Sequence, residues 1–195
     1  VIPPPPGYAA SPASAPASQP EVTGTFRNGV AHGTWTYNHA SGCRVIQTWQ
    51  DDLLDGPFEV QWPGHEPFRC LFSRGRLKSV QGEPVPSALF DHLAKDAVPS
   101  PLAEKLARVV KCEYIQTPFK DAMQILGDSI DTQIKIDPRR CHPKLTLSQS
   151  LGGLDAASAL FLLLHQHQLD CDYRHECLWI TSAAEAKSRP TFALD

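Results

Sequence analysis

The residues best suited to chemistry in this 195-residue chain are histidines and cysteines towards its C-terminus. They are His165, His167, Cys171, His175 and Cys177. Imidazole and thiolate are typical zinc ligands, but no two of these residues have the C-x₂-C or H-x₃-H spacing of a closed zinc site. On a helix, the side chains at 165 and 167 would point roughly 200° apart. The spacing therefore predicts no metal site, and a zinc protein or metal-dependent enzyme remains the alternative function.

Two short motifs could supply a nucleophile. Gly127-Asp128-Ser129 is similar to a hydrolase nucleophile block. It lies in an amphipathic helical pattern, however, without the strand-to-helix elbow that exposes such a serine. Cys141 and His142 are adjacent, and neighbouring residues rarely present a nucleophile and a base to one another. Neither motif predicts a catalytic site.

Calcium and RNA sites are also disfavoured by spacing. The aspartates at 128, 131 and 137 do not follow the pattern of a calcium loop. The segment 151–154 (LGGL) lacks the G-x-x-G clamp of an RNA-binding KH module. We therefore predict no catalytic, cofactor-binding or metal-ligating residues, no cofactor, and a protein that is not an enzyme.

The chain contains six cysteines, at positions 43, 70, 112, 141, 171 and 177. In an oxidising compartment, such a content favours disulfides. A tight hairpin of 169–174 with 177–181 would place Cys171 beside Ile180 or Trp179, so a Cys171–Cys177 bond is disfavoured. Cys43–Cys70 is the preferred pair because no domain boundary separates them. Buried, unpaired thiols are the alternative.

Composition excludes two classes of partner. A net charge of −3 and a pI near 6.2 argue against nucleic-acid binding, which needs a concentrated basic face. No apolar run approaches the ~20 residues of a membrane span.

The many prolines before Glu21 predict an extended linker over 1–20. The chain starts with Val1 instead of Met, which fits a processed precursor or a trimmed fragment. A removed signal peptide is one of several explanations, and we expect a periplasmic or secreted protein.

Residues 21–81 contain a repeat. Phe26, Trp49 and Phe72 recur at one constant interval, and each precedes a turn position. Asn28-Gly29 is typical of a tight hairpin turn, with flanking aromatic residues alternating onto one face. Stacked hairpins would then share an aromatic core, and the pattern decays by Ser79 after about two and a half units.

This segment resembles MORN repeats. The residues that carry the resemblance are Gly24, Phe26, Gly29, Gly33, Trp35, Tyr37, Trp49, Gly56, Phe58, Trp62, Phe72 and Gly75. Asp52 replaces the first glycine of the second unit, and the third unit is ragged. The resemblance implies an antiparallel hairpin array of a kind found in scaffolds, in lipid- and protein-binding modules and in bacterial antitoxin-like proteins.

Residues 82–108 are predicted to form a helical connector. Leu89, Phe90 and Leu93 have helical spacing, with Ser87 placed as the N-cap. Pro101 opens a second short helix that extends towards Val109.

Residues 109–182 are predicted to form a small sandwich of the order βαββαββ. The predicted strands are 109–115, 133–136, 144–148, 169–174 and 177–181. One helix begins with Thr117 and Pro118 as N-cap and first residue, and its apolar stripe is Phe119, Ala122, Met123, Leu126 and Ile130. The other follows Gly152-Gly153 and runs from Asp155 to about Gln168. We expect both helices to pack on one face of a mixed sheet.

This second segment resembles the short periplasmic N-terminal modules of secretins and TonB-dependent receptors, the STN-like or secretin-N group. The carrying features are the opener Thr117-Pro118-Phe119-x-x-Ala122, the strand 133–137 and the pattern of 159–182. The resemblance implies a module that binds partner proteins, or copies of itself, and catalyses nothing. Only a short tail, 183–195, follows the resemblance, so we expect no secretin pore or receptor barrel.

The sequence therefore predicts an α+β protein with a tail at 183–195. Its expected function is non-catalytic protein interaction or scaffolding in the bacterial envelope. The expected partner is an envelope or secretion component, and self-association is compatible with the family resemblance. The expected binding surfaces are the edge of the final hairpin and the exposed face of the helix at 118–131.

Overall fold

The structure, a computed structural model, describes residues 21–39, 41–139 and 145–188. The predicted linker 1–20 and the residues Cys141, His142 and Lys144 lie outside this part of the chain. The chain divides into two compact units after Pro84, and each unit is described by itself. Among the described residues, no helix combines the length and the apolar character that a membrane crossing requires.

The first unit is a seven-stranded antiparallel sheet in which each strand pairs with the next along the chain. The strands are β1 Glu21–Arg27, β2 Val30–Asn38, β3 Arg44–Gln50, β4 Leu53–Gln61, β5 Phe68–Ser73, β6 Arg76–Val80 and β7 Glu83–Pro84. The sheet is therefore a series of hairpins, the arrangement expected of alternating sequences separated by tight turns.

The predicted tight turn at Asn28-Gly29 is confirmed, with φ of 53° and 81°. The equivalent positions one and two repeats later, Asp51-Asp52 and Arg74-Gly75, also have positive φ at both residues. Two consecutive left-handed residues give the turn whose twist matches that of the flanking strands. Asparagine and aspartate tolerate this conformation better than most residues, so Asp52 can replace glycine in the second repeat.

One face of this sheet is apolar, but its burial changes from strand to strand. In β4 and β5, Phe58 and Phe72 are buried and lie edge to face with ring centroids 5.8 Å apart. At the other end, Phe26 contacts the Trp35 ring edge to face at 4.8 Å and is nevertheless 68% exposed. The expectation of a continuous aromatic core is therefore wrong for the first hairpin. A single edge hairpin has no further strand to cover its aromatic residues.

The preferred disulfide Cys43–Cys70 is not formed, and both thiols are free and buried. Register explains this. Phe58 of β4 is paired with Cys70 of β5, whereas Arg44 of β3 pairs with Gln61, so Cys43 lies just beyond Gln61, several residues along β4 from the position of Cys70. The two cysteines flank β4 from opposite sides, roughly 9.5 Å apart across the strands before any offset along them is counted. A disulfide requires Cα atoms within about 7 Å.

The second unit contains five helices and five strands among the described residues. They are α1 Ala88–Ala94, α2 Ser100–Leu106, β8 Val109–Pro118, α3 Phe119–Ser129, β9 Ile134–Ile136, β10 Thr146–Asp155, α4 Ala156–His165, β11 Leu169–Arg174, β12 Cys177–Ser182 and α5 Ala183–Ser188. The helix α5 lies where the sequence predicts part of a tail.

The strands of this unit form two sheets, which corrects the expectation of one mixed sheet. β10 pairs antiparallel with β8. The other sheet has the order β11-β12-β9, antiparallel between β11 and β12 and parallel between β12 and β9. Helix α3 contacts β8, β9 and β10, so it touches strands of both sheets. Local sequence patterns specify strands but not their partners, and β9 and β12 lie far apart along the chain, with β10, α4 and β11 between them.

Several element boundaries differ from prediction. Strand β8 continues through Pro118, so α3 begins at Phe119 with Pro118 as its N-cap residue. Gly152 and Gly153 lie within β10, where the pairing shifts at a bulge between Leu151 and Leu154. Glycine often marks such bulges because it relieves backbone crowding. The apolar stripe predicted for α3 is confirmed, since its members are buried.

Helix α4 is the most deeply buried element of the second unit. All nine residues from Ala156 to Leu164 are buried. It contacts β8, β10, β11 and α2. Its first turn is capped by the Asp155 carboxylate, which accepts a hydrogen bond from Ser158 N at 2.8 Å. The carboxylate satisfies a backbone donor that would otherwise be buried without a partner, so the helix can begin inside the core.

The start of helix α1 depends on a buried carboxylate from a distant strand. Asp170 is only 4% exposed and accepts hydrogen bonds from Ser87 Oγ at 2.7 Å, Ala88 N at 2.9 Å and Cys171 N at 2.8 Å. Ser87 is the N-cap residue, as predicted, but its hydroxyl makes no cap bond to the helix backbone. Asp170 therefore takes over the capping role and joins α1 to β11.

Replacing Asp170 with alanine is expected to destabilise the protein by about 2–4 kcal/mol, because it removes three hydrogen bonds and leaves buried donors unsatisfied. The measurement is urea denaturation followed by circular dichroism. Asp131→Asn is the control, since the Asp131 side chain is 88% exposed, its ion pair with Lys105 is a surface pair, and asparagine accepts the positive φ of 53° at this position. An equal loss in both variants would contradict the capping role.

Replacing Gly24 with alanine is expected to displace the Trp35 indole. A Cβ at position 24 would lie 2.1 Å from Cδ2 of Trp35, well inside van der Waals contact. Overpacking of this kind costs about 1–3 kcal/mol. The measurement is tryptophan fluorescence together with the denaturation midpoint. Gly29→Ala is the steric control, because a Cβ there meets nothing within 4 Å, although its φ of +81° adds some backbone strain.

Candidate functional site

The histidines and cysteines considered as zinc ligands do not converge. Within the described part of the chain, no three His, Cys, Asp or Glu side chains are grouped so that they could hold a metal. His165 stacks on Phe161 with ring centroids 4.8 Å apart, and His167 meets Phe119 edge to face at 6.3 Å. These imidazoles pack against aromatic rings, which is a structural use of the side chain.

The buried thiols are poorly suited to nucleophilic or metal chemistry. The register places Cys171 opposite Ile180, as the sequence predicts, and Cys177 opposite Arg174. Burial raises the pKa of the Cys171 thiol well above its usual range, and burial raises the pKa of Cys70 to about 12. A thiol must ionise to act as a nucleophile or ligand, so both remain inert at neutral pH.

The hydroxyl of the candidate hydrolase serine is hydrogen-bonded within its own helix. Ser129 Oγ donates to the carbonyl of Leu126 at 2.7 Å, in the last turn of α3. Among the aspartates, Asp137 accepts from Arg139 N, Nε and Nη2 at 3.0, 3.1 and 2.9 Å, which fixes the chain after β9. Cys141 and His142 lie outside the described residues. The described members of these motifs therefore serve local structure.

The second unit has a groove of about 890 Å³ between α3 and β9. It is lined by one face of α3, by β9 and by residues that flank these elements. Its members are Pro118, Phe119, Lys120, Gln124, Gly127, Asp128, Thr132, Gln133, Ile134, Lys135, Ile136, Pro138, Leu145 and Trp179. We refer to this set as the α3–β9 groove.

The strand β9 has an open edge along this groove. Leu178 N donates to Gln133 O, and Asp137 N donates to Ile180 O, so the odd-numbered residues bond towards β12. In a parallel pair the intervening residues turn their backbone groups the other way. The N–H and C=O groups of Ile134 and Ile136 therefore point to the outer side of β9, where no other described strand is paired.

A close contact between α3 and the loop before β9 shapes one end of the groove. A Cβ at Gly127 would lie 2.6 Å from the carbonyl oxygen of Thr132 and 3.3 Å from Cγ1 of Ile134. Only glycine allows this approach without a backbone shift. Gly127, considered above as part of a catalytic motif, therefore has a packing role.

The Trp179 ring in the groove lining makes a cation–π contact with Arg174. The Arg174 guanidinium lies 4.2 Å from the centroid of the Trp179 ring and 3.6 Å from a carboxylate oxygen of Asp172. A guanidinium stacked on a tryptophan ring restrains both side chains. Lys120, Lys135 and Asp128 add charge of both signs to an otherwise largely apolar groove.

The two expected binding surfaces differ in the structure. The helix face is part of the groove, through Lys120, Gln124 and Asp128. The edge of the final hairpin is not open in the expected way. Strand β12 is central in its sheet, and the first four residues of β11 are buried in a strand that contacts α1 and α5. Sequence reasoning missed β9 as the open edge, because the parallel pairing with β12 leaves no local signal.

Comparison with known proteins does not assign this chain to a family. The sequence matches no protein-family profile and no curated protein. Two crystal structures of a "putative anti-sigma factor" from Parabacteroides distasonis ATCC 8503 are similar to this chain at 10% sequence identity and a TM-score of 0.34. One similarity covers 77% of this chain and 78% of the other, and the second covers 83% and 85%. Similarity at this level establishes neither a common fold nor a common function.

His165 and His167 are expected to make the protein less stable as the pH falls. Partial desolvation against neighbouring side chains lowers the pKa of each below its ordinary value of 6.5. The unfolded chain therefore binds protons more readily, so the stabilisation is complete above about pH 6.5 and is lost on acidification. The double variant His165→Gln/His167→Gln should lose less unfolding free energy than the wild type between about pH 7.5 and pH 5.

The measurement is urea denaturation at both pH values. His175→Asn is the matched control, because His175 is exposed in the β11–β12 turn and asparagine accepts its positive φ of 48°. An unchanged pH dependence in the double variant would show that these two histidines are not responsible.

Proposed function

We propose that this chain is a non-catalytic protein-interaction protein that binds an extended segment of a partner in the α3–β9 groove. The observation that carries the proposal is the open edge of β9 within a largely apolar groove. A bound segment would extend the sheet by hydrogen bonding to Ile134 and Ile136, while alternate side chains would enter the groove against α3.

The groove has the chemical features of a peptide site. Its walls are mainly apolar and include Ile134 and Ile136 of the edge strand β9 and Trp179 of the neighbouring strand β12. Apolar side chains of a partner would gain about 25 cal/mol for each Å² removed from water. Lys120 and Lys135 favour an acidic residue in the bound segment, and Asp128 favours a basic residue nearer the C-terminal end of α3.

A non-catalytic role is supported by the structural use of the polar side chains considered above. Asp155 and Asp170 cap helices, Ser129 bonds within its own helix, and Asp137 pairs with Arg139. No group of these residues offers a nucleophile beside a base, which is the arrangement that covalent catalysis requires.

The finer assignment is also a proposal. We infer that the first unit is a MORN-like array, supported by tight turns that recur at a constant interval at Asn28-Gly29, Asp51-Asp52 and Arg74-Gly75. We infer that residues 109–182 form an STN-like module, supported by the quoted sequence resemblance. The first resemblance favours a scaffold, and the second favours a periplasmic module whose partner is an envelope or secretion component.

The test uses random peptides of about a dozen residues, displayed on phage and selected on the full chain. Enriched peptides are synthesised, and their affinity is measured by fluorescence anisotropy. We expect Ile136→Pro to weaken binding about tenfold, because proline removes an outward-facing N–H donor. Gln124→Trp should weaken binding by filling the groove from the helix side.

Ile136→Val is the matched control, since it keeps the backbone donor and most of the side chain. Circular dichroism establishes that each variant is folded. The proposal fails if no peptide is enriched, or if enriched peptides bind both groove variants as tightly as the wild type.

A further inference from the structure

The outer strand of the first unit, β1, presents an exposed edge. All seven of its residues are exposed, and β1 pairs only with β2 among the described strands. Val22 and Phe26 are 52% and 68% exposed, and both are among the large hydrophobic residues on the surface. Exposed strand edges readily pair with another strand, so natural proteins usually protect them.

The opposite edge of the same sheet is protected. Strand β7 consists only of Glu83 and Pro84. It is too short for extended pairing, and proline cannot donate to a ladder. β1 contains neither proline nor lysine and runs over seven residues. The contrast identifies β1 as the edge of this sheet that can accept a further strand.

The sequence of β1 is complementary to itself when read in the opposite direction. An antiparallel pair of β1 strands centred on Gly24 places Glu21 opposite Arg27, Val22 opposite Phe26, and Thr23 opposite Thr25. Opposite charges, apolar side chains and hydroxyls are thus each matched across the pair. The two residues of every pair also have the same parity, so their outward-facing backbone groups meet.

The apolar pairs would lie beside an existing aromatic cluster. Phe26 packs on Trp35, and Trp35 is stacked on Tyr37 with centroids 6.2 Å apart. The Trp35 ring also covers Gly24, as the 2.1 Å approach to a hypothetical Cβ shows. Val22 is paired with Tyr37. A second copy would bring its own Val22 and Phe26 against this cluster and cover side chains that are exposed in one chain.

The irregularity in β1–β2 pairing does not interrupt this edge. The register advances from Thr23↔Thr36 to Thr25↔His32, so the additional residues belong to β2. The alternation along β1 is therefore continuous, and its seven residues can pair without a gap.

We propose that two copies of this chain associate through antiparallel pairing of their β1 strands, with Glu21 of each copy opposite Arg27 of the other. The pairing is two-fold symmetric, so each contact occurs twice. One pair of seven-residue strands is a small interface compared with the roughly 1,200–2,000 Å² of stable complexes. The dimer is therefore concentration dependent. The proposal does not rest on peptide binding by the α3–β9 groove, which belongs to the other unit.

The test is sedimentation velocity on the full chain over a range of concentrations at low salt. Glu21→Arg places two arginines opposite each other, and Arg27→Glu places two glutamates opposite each other, so each variant alone should dimerise about tenfold more weakly. An equimolar mixture of the two variants should recover wild-type affinity. In a mixed dimer, the strand of one variant has arginine at positions 21 and 27 and the strand of the other has glutamate at both, so each arginine again faces a glutamate.

Lys78→Glu is the control, since it reverses an exposed charge on β6 of the same sheet. It should leave the dimerisation constant unchanged. Phe26→Ser tests the apolar contact. It should weaken the dimer although the charges at positions 21 and 27 are unchanged. A monomer at every concentration, or a dimer that neither single charge reversal weakens, would overturn the proposal, as would failure of the mixed variants to associate better than each alone.

Discussion

The second unit depends on the burial of α4. This helix has no polar face, because all nine residues from Ala156 to Leu164 are buried, so it must be covered on every side. Strands of both sheets and α2 contribute to that cover. A single flat sheet could shield only one side of such a helix. The division of the strands into two sheets therefore follows from the need to remove α4 from water, which is the dominant favourable term in folding.

Burying α4 requires polar groups to be satisfied inside the unit. Asp155 caps α4, and Asp170 caps α1 from the strand that follows α4. Burial raises the pKa of Asp170, although its hydrogen bonds and the charge of Lys187 act in the opposite direction. Ionisation therefore opposes folding as the pH rises above about 3.8, the ordinary value. The carboxylate provides a fixed junction between α1 and β11, and its hydrogen bonds offset part of the cost of its burial.

The first unit is a single sheet with one apolar face. The apolar side chains on that face stay exposed to water wherever no other part of the unit packs on them. Phe58 and Phe72 are buried, whereas Phe26 is mainly exposed although it occupies the position in the first repeat that Phe72 occupies in the third. Repeating the sequence therefore does not repeat the environment. An end strand such as β1 lacks one neighbour, and its exposed hydrophobic residues lie at the edge where we propose that two copies pair.

Local sequence patterns determined most of the secondary structure. The stripe of α3, the start of α4 near Asp155 and the left-handed turn at Asn28-Gly29 depend on neighbouring residues, and so they were predictable. Tertiary structure alone decided three features: which strands share a sheet, that Asp170 caps α1, and that β9 has the open edge of the groove. These depend on contacts between residues far apart in the chain. Side-chain periodicity carries no record of such partners, because it reports only which face of an element is buried.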